Sequence, residues 1–132
     1  MVSFEVRTPR RAVLVDISAE VAAAVNESGV TDGVVLVYVP HTTAGVTINE
    51  NADPSVRADL LLALERLVPL SLPFAHQEGN SDAHVKASLM GSSASVPLHG
   101  GRLQLGTWQG IYLAEFDGPR RRRVLVSVSA AG

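Results

Sequence analysis

The sequence predicts an α+β fold: one compact domain spanning residues 1–132, with largely antiparallel β-sheets and about three helices. Three observations lead to that expectation. Short alternating or β-branched segments crowd both ends of the chain, helical spacing occurs only between them, and Gly-containing turns separate the strands of the C-terminal part.

Taken in order, Phe4 and Val6 alternate with Ser3, Glu5 and Arg7, and Ala12 to Ile17 is rich in β-branched residues, so a strand pair turning near Pro9 is expected. Ser18 can cap a helix from Ala19 to Ser28, with Val21 and Val25 one turn apart and Gly29 as its stop. Gly33 to Val39 is apolar on both faces, which places it at the centre of a sheet or at a subunit interface. Gly45 to Glu50 alternates, and Glu50 falls on the face of Val46 and Ile48.

Asp53-Pro54 is a helix start, because the carboxylate accepts backbone N–H bonds while proline fills the first turn without loss. Val56, Leu60, Leu64 and Leu67 follow at helical spacing up to Pro69. Asn80 can cap a third helix, Ser81 to Met90, with Val85 and Leu89 as its expected buried stripe. Strands are expected again at Ala94 to Leu98, Arg102 to Leu105, Ile111 to Phe116 and Val124 to Val128, with turns at Gly100-Gly101 and Gly118-Pro119.

Composition narrows the function classes. Hydrophobic residues are 46% of the chain against 18% charged, which excludes disorder and suggests further burial between subunits. A net charge of −2 offers no overall field for nucleic acid or anionic membrane, so neither is an expected partner. There is no cysteine, so any transition-metal site must use histidine and carboxylate. No run of 18 apolar residues and no signal-peptide pattern occurs, and a cytoplasmic protein is expected.

The chemistry concentrates in a few places. His41, His76 and His84 fall at element ends, where two or three imidazoles could face one divalent metal, zinc being the ion that suits them. The same spacing is met by scattered, solvated histidines. Glu50, in phase with apolar neighbours, needs a partner or a metal, and beside a metal it could serve as a general base. Glu115 poses the same question, being in phase with Ile111 and Leu113. The only tryptophan, Trp108, sits in GTWQG beside Gln109, either as core filler or as a ligand platform. The run Arg120 to Arg123 reads as a solvated strand edge.

Three segments in order, HTTAGVTINENADP, HQEGNSDAHVKASLMG and GRLQLGTWQGIYLAEFDGPRRRRV, resemble the signatures of the YjbQ-like family, also called secondary thiamine-phosphate synthases. The resemblance covers nearly the whole chain. It implies a homotrimer with a metal-associated pocket in which His41, His76 and His84 hold the metal, zinc first, with magnesium possible for a diphosphate substrate. Glu50 and Asn51 would be catalytic, while Thr42, Thr43, Asn80, Trp108, Gln109 and Arg120 would bind a small phosphorylated substrate. His99 departs from the pattern before GRL and stands outside that set. The implied reaction joins a hydroxymethylpyrimidine diphosphate to a thiazole phosphate with release of pyrophosphate. A metal-dependent hydrolase of a small phosphorylated or amide substrate is the alternative, and a non-catalytic metal-binding trimer is a third.

Overall fold

The computed structural model describes all residues from Met1 to Gly132. Its elements are β1 (Val2–Arg7), β2 (Val13–Asp16), α1 (Ser18–Ser28), β3 (Gly33–Tyr38), β4 (Ala44–Glu50), α2 (Pro54–Leu67), α3 (Ser81–Met90), β5 (Ser93–His99), β6 (Arg102–Leu103), β7 (Gln109–Glu115) and β8 (Arg121–Ala130). The α+β class with three helices and antiparallel sheets is as the sequence predicts.

Two antiparallel sheets form a sandwich, one ordered β1-β8-β3-β5-β6 and the other β2-β7-β4. Alternation explains what lies between them. Val35, Val37, Val96, Leu98, Val124 and Val126 of the larger sheet meet Ala44, Val46, Ile111 and Leu113 of the smaller, and Val21, Ala24 and Val25 of α1 join the same core. Each such Val or Leu contributes about 1.5–3 kcal/mol by leaving water. The other face of the smaller sheet, with Leu14, Tyr112, Ala114 and Phe116, packs on Leu64 of α2 and on Ala83 and Ala87 of α3. Strand β7 is thus covered on both sides and buried from Gly110 to Glu115.

Several sequence expectations need correction. β1 and β2 do not pair with each other: β1 pairs with β8 and β2 with β7, in different sheets. β3 and β4 are likewise in different sheets, so the polar segment after Val39 is a crossover from one layer to the other. Asp53 caps α2 as expected, accepting from the Ser55 N–H at 2.9 Å, but Leu67 at its end is exposed. Ser18 and Asn80 make no capping bonds: Ser18 is the first residue of α1, and its Oγ accepts instead from the Ile111 N–H at 2.9 Å.

The face of α3 is inverted relative to expectation. Val85 and Leu89 are exposed, whereas Asp82 and Lys86 are buried together with Ala83 and Ala87. The alanines allow close approach to the smaller sheet, where Gly45 of β4 lies so near that an added Cβ would stand 2.5 Å from the Gly91 carbonyl oxygen. The buried charges satisfy one another, since Lys86 Nζ donates to Asp82 at 3.0 Å and to Glu65 at 2.7 Å, and Arg11 grips Asp82 with two bonds of 2.9 and 3.1 Å.

The outer face of β3 carries Val34, Leu36 and Tyr38, all exposed in the single chain. Gly33 to Val39 is therefore central within its sheet but covered on one side only.

Candidate functional site

Six connections pass between the two sheets, among them β1 to β2, β3 to β4 and β7 to β8. The register brings these three to one end of the sandwich. Arg7 opposes Arg121, Tyr38 opposes Leu125, and both Val13 and Ala44 oppose Glu115. Crossovers leave the repeating ladder, so their backbone groups need other partners, and polar side chains gather there to supply them.

At the centre of this end lies an ion pair between the sheets. Glu115 and Arg122 are in phase with the core residues of β7 and β8, and both are buried. Arg122 binds both carboxylate oxygens of Glu115, its Nε at 2.8 Å, and also donates to Thr43 Oγ1 at 2.8 Å. Glu115 further accepts from Thr8 Oγ1 at 2.8 Å and from the backbone N–H groups of Phe116 and Asp117 at 3.1 and 3.0 Å. Burial alone would raise its pKa, but Arg122 and these donors hold it below the usual carboxylate value.

His41 sits beside this pair and is half-buried. Its Nε2 accepts from the backbone N–H of Arg123 at 2.8 Å, taking a place that a continuing strand would fill. Burial, followed by the charge of Arg122, lowers its pKa, so the ring is neutral at pH 7. A neutral ring that accepts at Nε2 carries its proton on Nδ1, which leaves Nδ1–H as its donor.

A cleft of about 500 Å³ lies between this crossover and α3, lined by His41, Thr42 and Ala44 on one side and by His84, Ser88 and Ser92 on the other. His84 also faces a second depression with His76 and Ser81. The His76 and His84 rings stand edge to face with centroids 5.6 Å apart. His76 Nδ1 is 3.2 Å from Ser81 Oγ, and the imidazole of His84 makes no hydrogen bond within the chain. Asn80 Nδ2 donates to Asp117 at 2.9 Å, Arg120 binds the same carboxylate at 3.1 Å, and Asn80 Oδ1 is buried without a partner.

The structure divides the residues that sequence analysis singled out. His41, Thr42, His76, Asn80, His84 and Arg120 belong to the crossover end. Thr43 belongs there too, but it is buried and holds Arg122 rather than facing the cleft. Glu50, Asn51, Trp108 and Gln109 lie at the other end of β4 and β7, where Glu50 opposes Gln109. The seven residues of β4, at about 3.3 Å each, separate the two groups by roughly 20 Å.

The expectation that Glu50 meets an apolar core is thus corrected. Its phase is as read, but the sandwich ends before it, and its carboxylate accepts from the Ala52 N–H at 3.2 Å in an exposed turn. Trp108 is exposed and fills no core, while Gln109 Oε1 is occupied by the Gly106 N–H at 2.8 Å. His99 pairs with Asp32 at 2.6 Å near the opposite end of β3 and stays outside the site.

Sequence reasoning missed Arg122, Asp82 and Lys86. For Arg122 the available signal was its phase with Val124 and Val126, two and four residues on.

A divalent transition metal needs imidazole nitrogens or carboxylates that converge on one point. Two imidazoles bound at 2.0–2.1 Å around a tetrahedral ion place their centroids roughly 5 Å apart, so the His76–His84 pair fits such a role. His41 does not join it in this geometry, since Nε2 is engaged and Nδ1 carries the proton. No three histidines or carboxylates converge on one point within the single chain.

A two-sheet α+β domain whose crossovers converge on a histidine-lined cleft defines the class of protein. The chain belongs to the family described as UPF0047 protein YjbQ-like, whose profile matches residues 2–131. It is 47% identical over 127 residues to the UPF0047 protein YugU of Bacillus subtilis, covering 96% of each chain. It is 53% identical over 125 residues to a UPF0047 protein of Methanocaldococcus jannaschii, covering 95% of this chain and 91% of the relative. A crystal structure of a yjbq/upf0047 family protein from Clostridium acetobutylicum superposes with a TM-score of 0.96 at 51% identity, over 98% of this chain and 100% of that one.

Proposed function

We propose that the cleft between the β3–β4 crossover and α3 is the reaction site of an enzyme acting on a small phosphorylated molecule, with thiamine-phosphate synthesis as its first candidate reaction. The observation that supports this reading is the meeting of His41, His84 and His76 at the crossover end, with His41 fixed as a neutral Nδ1–H donor. Such a donor suits a phosphoryl oxygen that gains charge as pyrophosphate departs, because it stabilises the anion without giving up its proton in the ground state.

His84 and His76 are the residues that would hold a divalent ion, which, when bound, acts as a Lewis acid on a phosphoryl oxygen. Imidazole donors favour zinc over magnesium. That preference also favours the second reading, hydrolysis of a phosphate ester or amide, over a reaction that depends on magnesium diphosphate.

Glu50, Asn51, Trp108 and Gln109 enter this proposal through a second copy of the chain. In one chain they are too far from the cleft to act there. The exposed Val34, Leu36 and Tyr38 of β3, with Leu62, Leu67 and Leu89 on the helices, support a self-associated form, which we take to be a cytoplasmic homotrimer. Glu50 of one copy would then handle a proton at the cleft of another.

The test is a turnover screen on protein purified with its metal retained. Pyrophosphate release that requires both hydroxymethylpyrimidine diphosphate and thiazole phosphate supports the transferase. Phosphate release from single substrates supports the hydrolase. Bound metal with no turnover across the panel would overturn both and leave a metal-binding trimer.

A further inference from the structure

At the rim of the crossover end, Arg7, Thr8, Pro119, Arg120 and Arg121 line a depression of about 230 Å³, separate from the histidine cleft. Arg7 of β1 and Arg121 of β8 are direct antiparallel partners, so their side chains leave the sheet on the same face. That face is the outer one, because Val6 and Arg122, the next residues inward, are buried. Two like charges directly opposite each other destabilise a strand pair.

Neither guanidinium has a hydrogen bond or ion pair within the chain. The buried and half-buried carboxylates at this end pair with other cations: Asp117 with Arg120, Glu115 with Arg122 and Asp82 with Arg11 and Lys86. Arg120 is oriented rather than free, since its Nε donates to the Asp117 carbonyl oxygen at 2.8 Å and one terminal nitrogen to the Asp117 carboxylate at 3.1 Å. In a chain with net charge −2, this is a local concentration of positive charge: Arg7, Arg121 and Arg123 share the outer face with one carboxylate, Glu5, which lies opposite Arg123.

We propose that this depression is an oxyanion site that takes the phosphate group of a small phosphorylated molecule, with Arg7 and Arg121 as the paired donors and Arg120 as the oriented third. Planar guanidiniums match phosphate oxygens by paired hydrogen bonds, and a bound dianion turns the repulsion between Arg7 and Arg121 into shared attraction. Its size leaves room for one phosphate or pyrophosphate group. The site is tied to the histidine cleft through buried groups: Thr8 at its floor bonds Glu115, Glu115 bonds Arg122, and Arg122 bonds Thr43 beside His41. The proposal stands on the strand register and does not depend on the cleft being catalytic.

The experiment is calorimetric and thermal titration of the full chain with inorganic phosphate and with pyrophosphate at low salt. The proteins compared are wild type, Arg7→Gln, Arg121→Gln and Arg102→Gln. Loss of one charge-assisted donor pair should weaken anion binding by about ten-fold or more in Arg7→Gln and in Arg121→Gln. Without anion, these two variants should melt at or above the wild-type temperature, because a like-charge pair is gone, while losing most of the phosphate-induced rise. Arg102→Gln, the same loss of charge on β6 away from the crossover end, should bind both anions as wild type does. Unchanged affinity in Arg7→Gln and Arg121→Gln would overturn the proposal. So would an equal loss in Arg102→Gln, which reduces the effect to net charge, or binding of single-stranded RNA with none of phosphate or pyrophosphate.

Discussion

The backbone N–H of Arg123 donates to Nε2 of His41 at 2.8 Å. One bond between the first residues of a crossover and β8, the strand beside β3 in the same sheet, fixes ring orientation, tautomer and charge together. His41→Gln can retain an acceptor for that N–H but loses the ring, and it should keep the fold. The proton on Nδ1 is visible by ¹⁵N NMR of the imidazole. The expected outcome is an unprotonated Nε2 and a titration midpoint below the ordinary histidine value, following burial and then the Arg122 charge. A midpoint above 6.5, or a protonated Nε2 at pH 7, contradicts this arrangement.

The buried Glu115–Arg122 pair predicts a second outcome. Glu115→Ala leaves Arg122 uncompensated between two sheets, which costs about 3–5 kcal/mol. The paired change Glu115→Leu with Arg122→Leu removes both charges and should be far less damaging than the sum of the single changes. Denaturant unfolding of the three variants measures the difference, and strict additivity would show that the pair contributes nothing as a pair.

How much of this was legible in the chain follows from what periodicity can report. The phase of Glu115 with Ile111 and Leu113 was visible, and the structure has it facing inward. The phase of Glu50 was equally visible, but phase does not say where the opposing sheet stops, and β4 runs past it. The inverted face of α3 was hidden because the charges that make Asp82 and Lys86 buriable come from Arg11 and Glu65, residues 71 and 21 positions away. Pairing of β1 with β8 was hidden for a similar reason, since local turn signals do not record which sheet a strand joins.

Acid stability should report on Asp82. Burial alone would raise its pKa, but the bonds from Arg11 and Lys86 bring it down to about 2. The folded value lies below the unfolded one of about 3.9, so this contribution is present above pH 4 and is lost as pH falls toward 2. It amounts to roughly 2 kcal/mol. Asp82→Asn should remove that portion of the acid transition, and an unchanged stability profile between pH 4 and pH 2 would contradict the assignment.

The separation of Glu50 from His84 within one chain makes a prediction about mixed assemblies. Co-expressed Glu50→Gln and His84→Ala chains, each inactive alone, should recover part of the wild-type turnover, because some interfaces combine an intact Glu50 with an intact His84. Glu50→Gln by itself should retain metal and assembly while lowering turnover by about 10²- to 10⁴-fold. Absence of recovery in verified mixed assemblies would remove Glu50 from the reaction.

The central proposal is that the cleft between the β3–β4 crossover and α3 performs the reaction. Its most direct test is turnover of His84→Ala against wild type, both purified with native metal and matched for secondary structure and assembly state. His84 lines both depressions and makes no hydrogen bond within the chain, so the fold should tolerate its removal. The predicted result is loss of bound metal and a fall in turnover of about 10²-fold or more. Wild-type turnover and wild-type metal content in His84→Ala would contradict it.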